Sequence, residues 1–347
     1  MLTGVAILFT INYDLELGLL NAFSKIGAIA KSSLVYSVAV VPINLGIVAA
    51  FGVEGIPWAV VASSIVTWGV VKMTVRRSVG REPSFPPMAR LRNAVSALLR
   101  FGLPYMASTS MGLGVQRALP VLLVSFITVT ELGVYRAAAI IVAQLGFLTT
   151  ALGQDYYPRV SAAAPADLAG VVRDQVKIVT FIGAPTVVLA QTFSGLAIRV
   201  LFTSEFAQAS AVLVLQLPGF MLLAWSLPFS YSILGRQSRR SYLLLEAAMG
   251  AVTLLAFWAL VRPFGLIGAG IAYTVSYGVY LCLAITIHDA PLSKIVDREV
   301  VVYVLLFAGA TTAILLSPSA GWMSPVGLGA SVILIMVSLV GVRKQFA

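Results

Sequence analysis

Two arginines stand inside apolar stretches of this chain, where arginine is rare. Arg117 lies near the middle of one stretch, on a helical face with Ser110, Gly114 and Pro120. Arg136 sits about one and a half turns into the next. Its face continues through Ala139, Ala143, Phe147 and Thr150, with Gln144 on the flank. A guanidinium at the centre of a bilayer costs about 2.5–3.5 kcal/mol on insertion scales, so it is kept where it meets a partner or a wet cavity. The chemistry it offers there is anion binding. It stays charged and grips phosphate oxygens in bidentate pairs. The alternatives are a structural Arg bonded to backbone carbonyls and, for Arg136, a side chain that snorkels to the membrane surface.

Other polar groups are fewer. Asp14 and Glu16 interrupt the first apolar stretch as ion-coupling candidates; two residues apart on a helix, at most one of them faces a cavity. Their alternative is an interfacial position beyond a shorter span. Gln116, Gln144, Gln191 and Gln216 are amides able to bond sugar hydroxyls, although such residues more often bond neighbouring helices. Glu246 stands near a span end, where Arg239 or Arg240 offers it a partner. His288, the single histidine, is expected in a solvated loop, and the lone Cys282 inside a span; neither supports a metal site or a disulfide. Asp297-Arg-Glu299 near His288 is a thin basis for a transferase, because the loops are short. No catalytic residue, metal or cofactor is expected.

The elements that position these groups follow from composition. The chain is 59% hydrophobic and 10% charged, with a mean hydropathy of +0.98; soluble domains carry about 25% charged residues. Apolar runs of about 20 residues recur throughout, each long enough to cross a hydrocarbon core of about 30 Å. With backbone polar groups satisfied internally, the reading is an all-α polytopic membrane protein. Eleven spans are expected, at roughly 1–22, 27–50, 55–75, 101–127, 131–153, 176–201, 206–233, 241–262, 266–287, 299–317 and 324–342. Apart from Arg117, Arg136, Arg199 and Arg262, every Lys and Arg falls in alternate gaps or the C-terminal tail. Cationic loops stay cytoplasmic, which places the C-terminus inside and Met1 outside. The net charge of +10 is spread over membrane-proximal loops. It reads as topology and attraction to anionic lipid, not as nucleic-acid binding. Between spans three and four, a Pro-rich linker at 81–87 leads into an amphipathic stretch carrying Met88, Leu91, Val95, Leu98 and Leu99, expected to lie in the cytoplasmic interface.

Phe51, Gly52, Gly55, Ala59 and Ser63 align with Phe264, Gly265, Gly268, Ala272 and Ser276, a repeat of 213 residues. It links spans three and nine, so the unit is six helices running in the same direction, as in parallel-repeat transporters. Counting back divides the chain into 1–75, the last three helices of an N-terminal lobe; 76–100, a linker with its amphipathic helix; 101–287, a six-helix lobe; and 288–347, two additional helices. Three helices are missing from the first lobe on this count. An upstream start, a truncated gene or a non-functional fragment would each account for that.

Three stretches carry a family resemblance. Leu132-Gly-Val-Tyr-Arg-Ala-Ala-Ala139 with Tyr157-Pro-Arg-Val-Ser161, Phe202-Thr-Ser-Glu-Phe-Ala-Gln-Ala209 with Val212-Leu213, and Phe264–Ser276 resemble the multidrug/oligosaccharidyl-lipid/polysaccharide exporter superfamily, in particular its polysaccharide transporter, O-antigen flippase branch. The resemblance implies a two-lobe bundle like that of the multidrug exporters, here with an incomplete first lobe. It implies a flippase of the bacterial inner membrane that moves polyprenyl-pyrophosphate-linked oligosaccharide by alternating access, for O-antigen and lipopolysaccharide synthesis. On it, Arg117 and Arg136 would hold the phosphates; Gln116, Gln144 and Gln191 would meet sugar; Asp14 or Glu16 would couple to protons or sodium. Membrane lipids and a polysaccharide polymerase would be partners. A cation-coupled drug exporter is the alternative, disfavoured because the six-helix lobe carries arginines and no deep carboxylate.

Overall fold

The structure, a computed structural model, describes residues 2–23, 25–79, 88–235, 239–288, 291–317 and 325–346. Among them there is no strand. The helices are α1 (Leu2–Ala22), α2 (Ile26–Phe51), α3 (Ile56–Val79), α4 (Met88–Val124), α5 (Val129–Ala162), α6 (Leu168–Thr192), α7 (Ser194–Leu201), α8 (Ala209–Gly235), α9 (Arg239–Ile287), α10 (Arg298–Leu316) and α11 (Pro325–Phe346). Gly265 divides α9 into two arms, and α6 and α7 form one pair bent by 67°. The expected spans thus all find a helix. By length and composition six stretches are able to cross a membrane, or seven with the bent pair; two of them, Gly27–Val79 and Arg240–Ile287, are 53 and 48 residues long and each contains a hairpin.

The chain forms two compact units, Met1–Ala94 and Val95–Ala347. In the first, α1, α2 and α3 pack around Leu20, Ile29, Val71 and Val75. In the second, one buried cluster runs from Leu123 and Ile127 through Tyr135, Phe220, Trp225 and Phe257 to Leu266. Another gathers Val160, Leu168, Ile233, Leu245, Ala284 and Val300. That second cluster joins the ends of α5 and α8 to the starts of α6, α9 and α10, the helix ends beside the basic gaps. The unit's cationic ends therefore meet at one end of the bundle. The two additional helices are built into it: Tyr303 of α10 donates to the Leu334 carbonyl of α11 at 2.8 Å, and its ring meets Phe181 of α6 edge-on.

The repeated segments do the same work in each unit. Gly52 and Gly265 are the described residues with left-handed backbone, at φ 59° and 55°. That conformation is steeply unfavourable with a Cβ, and here it reverses the chain between antiparallel helices. Three residues on, a Cβ at Gly55 would lie 2.9 Å from the Ile47 carbonyl oxygen; one at Gly268 would overlap the Leu260 carbonyl oxygen. Both carbonyls stand eight residues back. Ala59 and Ala272 are buried, and each accepts a 2.7 Å hydrogen bond at its carbonyl from the hydroxyl of Ser63 or Ser276. Phe51 and Phe264 are both exposed. The match extends to all five aligned positions.

Three expectations change. The stretch at 88–100 is not a separate helix: α4 is unbroken over 37 residues, about 55 Å at 1.5 Å per residue. An unbroken helix satisfies the backbone groups that a turn at Arg100 would leave to water. The Pro-rich linker at 81–87 lies outside the described residues. Cys282 is exposed on the second arm of α9 instead of packed inside. His288 is half-buried and held by its neighbours: its Nδ1 lies 2.6 Å from the Ser232 hydroxyl and its ring meets Phe229 edge-on. An aromatic body with a polar edge gains both packing and a hydrogen bond at the end of the bundle.

Candidate functional site

α5 is started by a capping box. Thr128 Oγ1 accepts from the Glu131 amide at 3.2 Å, and Glu131 Oε2 accepts from the Thr128 amide at 2.8 Å. This fixes the helix phase from its first turn. Val134, Tyr135, Ala137 and Ala138 then point into the core and Arg136 points away from it, exposed. Farther along its face Ala139 is half-buried against the core, whereas Ala143, Gln144, Phe147 and Thr150 are exposed. On α4, Gln116 and Arg117 are exposed together with Ser110 and Gly114. Neither arginine has an ion pair or hydrogen bond among the described residues. The backbone-carbonyl alternative finds no such bond for Arg117. Both guanidinium groups present free donors from otherwise apolar helices, which suits binding of an anionic group.

The amides divide. Gln116 and Gln144 stay exposed beside the arginines, whereas Gln191 is fully buried. Its role follows from Pro218. Proline has no amide hydrogen, so the carbonyl four residues back, Val214, loses its helical donor. Gln191 Nε2 donates to that oxygen at 3.1 Å, and its Oε1 accepts from Thr311 Oγ1 at 3.2 Å. Thr274 Oγ1 donates at 2.5 Å to the neighbouring Leu215 carbonyl. Gln191 thus supplies α6's donor to the carbonyl that Pro218 strands on α8 and ties both to α10, and the structure does not bring it to the arginine faces. Gln216 is also fully buried, and both its amide atoms lack a partner among the described residues.

Asp14 and Glu16 lie within the continuous helix α1, which runs to Ala22. Asp14 is exposed and Glu16 half-buried, as their spacing around the helix requires. Asn12 donates to the Leu8 carbonyl in its own helix at 2.8 Å.

Glu246 is the carboxylate that sequence reasoning undervalued. It is not paired with Arg240, which is exposed. The hairpin at Gly265 folds the second arm of α9 back on the first, and the Tyr280 hydroxyl is hydrogen-bonded to Glu246 Oε1 at 2.6 Å. Tyr242 bonds it as well. The signal was present in the roughly equal distances of Glu246 and Tyr280 from the repeated glycine.

Asp297 has a structural task. It caps α10 by accepting from the Val300 amide at 3.2 Å, and Lys177 Nζ of α6 lies 2.5 Å from its Oδ2. Burial pushes its carboxyl up. The Lys177 hydrogen bond, the Val300 amide and the charges of Lys177 and Arg173 together outweigh that and hold it below the usual carboxylate range. His288 is held by Ser232 and Asp297 by Lys177 and the Val300 amide. No group of metal-ligating side chains occurs among the described residues.

Apolar helices turned at a glycine in each unit, with unpaired arginines on α4 and α5, define a polytopic membrane protein, and its family and fold likenesses place it in the multidrug/oligosaccharidyl-lipid/polysaccharide exporter superfamily. The sequence profile of the family described as polysaccharide biosynthesis protein matches residues 12–211, more than half of the chain, and the chain belongs to that family. Among solved structures it is similar to "Lipid II flippase MurJ, inward closed conformation", with a TM-score of 0.70 at 13% identity, covering 100% of this chain and 73% of that one. At that identity the likeness is one of fold. No curated protein matches the sequence.

Proposed function

We propose that this protein is a flippase for polyprenyl-pyrophosphate-linked oligosaccharide in the bacterial inner membrane, serving O-antigen or related polysaccharide synthesis. The observation that carries the reading is the pair of exposed, unpaired guanidinium groups on α4 and α5, in a chain of the polysaccharide biosynthesis family. Arg117 and Arg136 hold the pyrophosphate, and Gln116 and Gln144 meet the first sugars. The prenyl chain stays in lipid, and the lobes open first to the cytoplasm and then outward. The basic ends of the helices face the cytoplasm, as does the C-terminus. Asp14 and Glu16 on α1 are candidates for ion coupling, and a polymerase is the natural recipient of the flipped lipid. The fold shared with a lipid II flippase supports a flipping mechanism over catalysis.

A cationic drug is a poorer substrate, because uncompensated arginines repel it. The test is complementation of a deletion strain by Arg117→Ala and Arg136→Ala, read as surface polysaccharide, with drug sensitivity measured in parallel. Loss of polysaccharide with unchanged drug sensitivity is expected. Normal polysaccharide from the double variant would refute the phosphate role.

A further inference from the structure

Arg199 is one of the cations that the alternation of charged gaps does not place. The structure puts it on α7, where the span expected over 176–201 breaks at Phe193 and turns by 67°. The bend supplies its own hydrogen bonds. The Phe193 amide donates to the Leu189 carbonyl at 2.9 Å, and the Ser194 hydroxyl donates to the Gln191 carbonyl at 2.9 Å. Two of the last carbonyls of α6 thus find donors at the turn, where an apolar medium offers none.

The depth of α7 follows from its neighbours. Charges mark where α6 enters the membrane: Lys177 is paired there with Asp297, the cap of α10. From Lys177 to Thr192 is about 22 Å at 1.5 Å per residue, some 8 Å short of a hydrocarbon core of about 30 Å. α7 has eight residues, about 12 Å, and a bend of 67° lets it climb only about 5 Å along the α6 axis. It therefore runs sideways through the last few ångströms of hydrocarbon. Beyond it the chain emerges at once, with Thr203, Ser204 and Glu205 exposed. Phe206 then packs beside α5, where a Cβ on Gly133 would lie 3.9 Å from its ring. Gly133 stands just past the capping box of Thr128 and Glu131, so α5 sets the same level independently.

The faces of α7 divide as a surface-lying helix requires. Ser194, Gly195 and Ile198 are buried against the second unit. Leu196, Val200 and Leu201 are 46%, 72% and 64% exposed, and Arg199 is exposed beside them. Leu196, Arg199 and Val200 share one side of the helix, being three and four residues apart. Water would penalise the apolar side chains, and the hydrocarbon centre would penalise the arginine. The boundary between headgroups and acyl chains suits both, since a guanidinium there reaches phosphate oxygens.

We propose that α7 is an interfacial helix whose partner is the phospholipid leaflet at the end of the second unit opposite the basic gaps. Leu196, Val200 and Leu201 insert among acyl chains, and Arg199 binds lipid phosphate. The contact fixes the depth of this end of the unit and accounts for a cation on the side where the alternation leaves few. It requires only that the chain spans a membrane, so it is independent of the flippase reading.

The test is spin labelling of the full chain in nanodiscs of phosphatidylethanolamine and phosphatidylglycerol. Cys282→Ser removes the single native thiol, which is exposed. Leu196→Cys, Arg199→Cys and Val200→Cys then each carry one nitroxide, all on the outward side, so the packed side of α7 is untouched. Labels at 196 and 200 should be relaxed by oxygen dissolved in lipid and lie only about 2 Å apart in depth, four residues of rise at the observed bend. The label at 199 should be reached more readily by a water-soluble nickel chelate. A depth difference of about 6 Å between 196 and 200, the full rise of four residues, would mean that α7 runs along the membrane normal, and the proposal would fail. Relaxation of all three labels by nickel with no preference for oxygen would place the helix in water and overturn it as well.

Discussion

Replacing Gln191 by leucine separates bracing of α8 at Pro218 from contact with sugar. Leucine keeps the volume near enough for packing but removes both ends of the amide. The Val214 carbonyl, already without a helical donor because of Pro218, is left buried and unpaired, and Thr311 loses its acceptor. Interhelical hydrogen bonds within membranes average about 0.6 kcal/mol and reach about 1.7. A stranded buried carbonyl costs about 1–3 kcal/mol. The two bonds are unequal, since Thr311 can turn to a carbonyl of its own helix, whereas Val214 has no second donor in reach of its own turn. The expected loss is about 2–3 kcal/mol. For a folding unit of this size that corresponds to a fall in Tm of roughly 4–10 °C. Thr311→Val should cost under about 1 kcal/mol, because it leaves the Val214 bond intact. Thermal unfolding in detergent, followed by tryptophan fluorescence, reads both variants. Binding of lipid-linked oligosaccharide by the folded variants should match wild type. A Gln191→Leu protein with unchanged Tm and weakened binding would refute the bracing argument and return Gln191 to the sugar site.

Arg117→Ala and Arg136→Ala should each weaken binding of a prenyl pyrophosphate about 10–100-fold in a nanodisc assay, from the loss of a charge-assisted pair worth about 1.5–3 kcal/mol; Lys at either position should restore part of it. Gly52→Ala meets open space and bears only the cost of its backbone conformation, about 1–3 kcal/mol. Gly268→Ala drives a Cβ into the Leu260 carbonyl and should cost about 3 kcal/mol or more, read as lost folded yield. Asp297 titrates below the usual carboxylate range in the folded protein, so its contribution is fully present above the unfolded pKa. It is lost as pH falls through the folded value. Acid unfolding of wild type should show this loss, and Asp297→Ala should flatten that limb while costing about 1 kcal/mol at neutral pH through the missing cap.

Much of the architecture is legible along the chain. The apolar runs and alternating cations specify the helices and gather the basic ends of the second unit, because both signals are local and additive. The repeat is legible for a sharper reason. Gly52 and Gly265 hold a backbone that other residues resist, and Gly55 and Gly268 admit a carbonyl where a Cβ would collide. The anion-binding candidates are likewise visible as isolated charges. Their exposure follows from helix phase once the neighbouring apolar face is known.

The partners of the polar groups were decided by tertiary structure alone. Gln116 and Gln191 read alike in sequence, yet one is exposed and the other is consumed by a stranded carbonyl on another helix. Glu246 seemed to belong to nearby arginines and is held instead by a tyrosine 34 residues away across a hairpin. His288 and Cys282 exchanged their expected environments. The physical reason is common to all of them. Inside a membrane, lipid and protein interior are equally apolar, so hydrophobic patterning orients helices across the bilayer but says little about which face meets which neighbour. That choice is made by close packing and by where each buried polar group finds its bond.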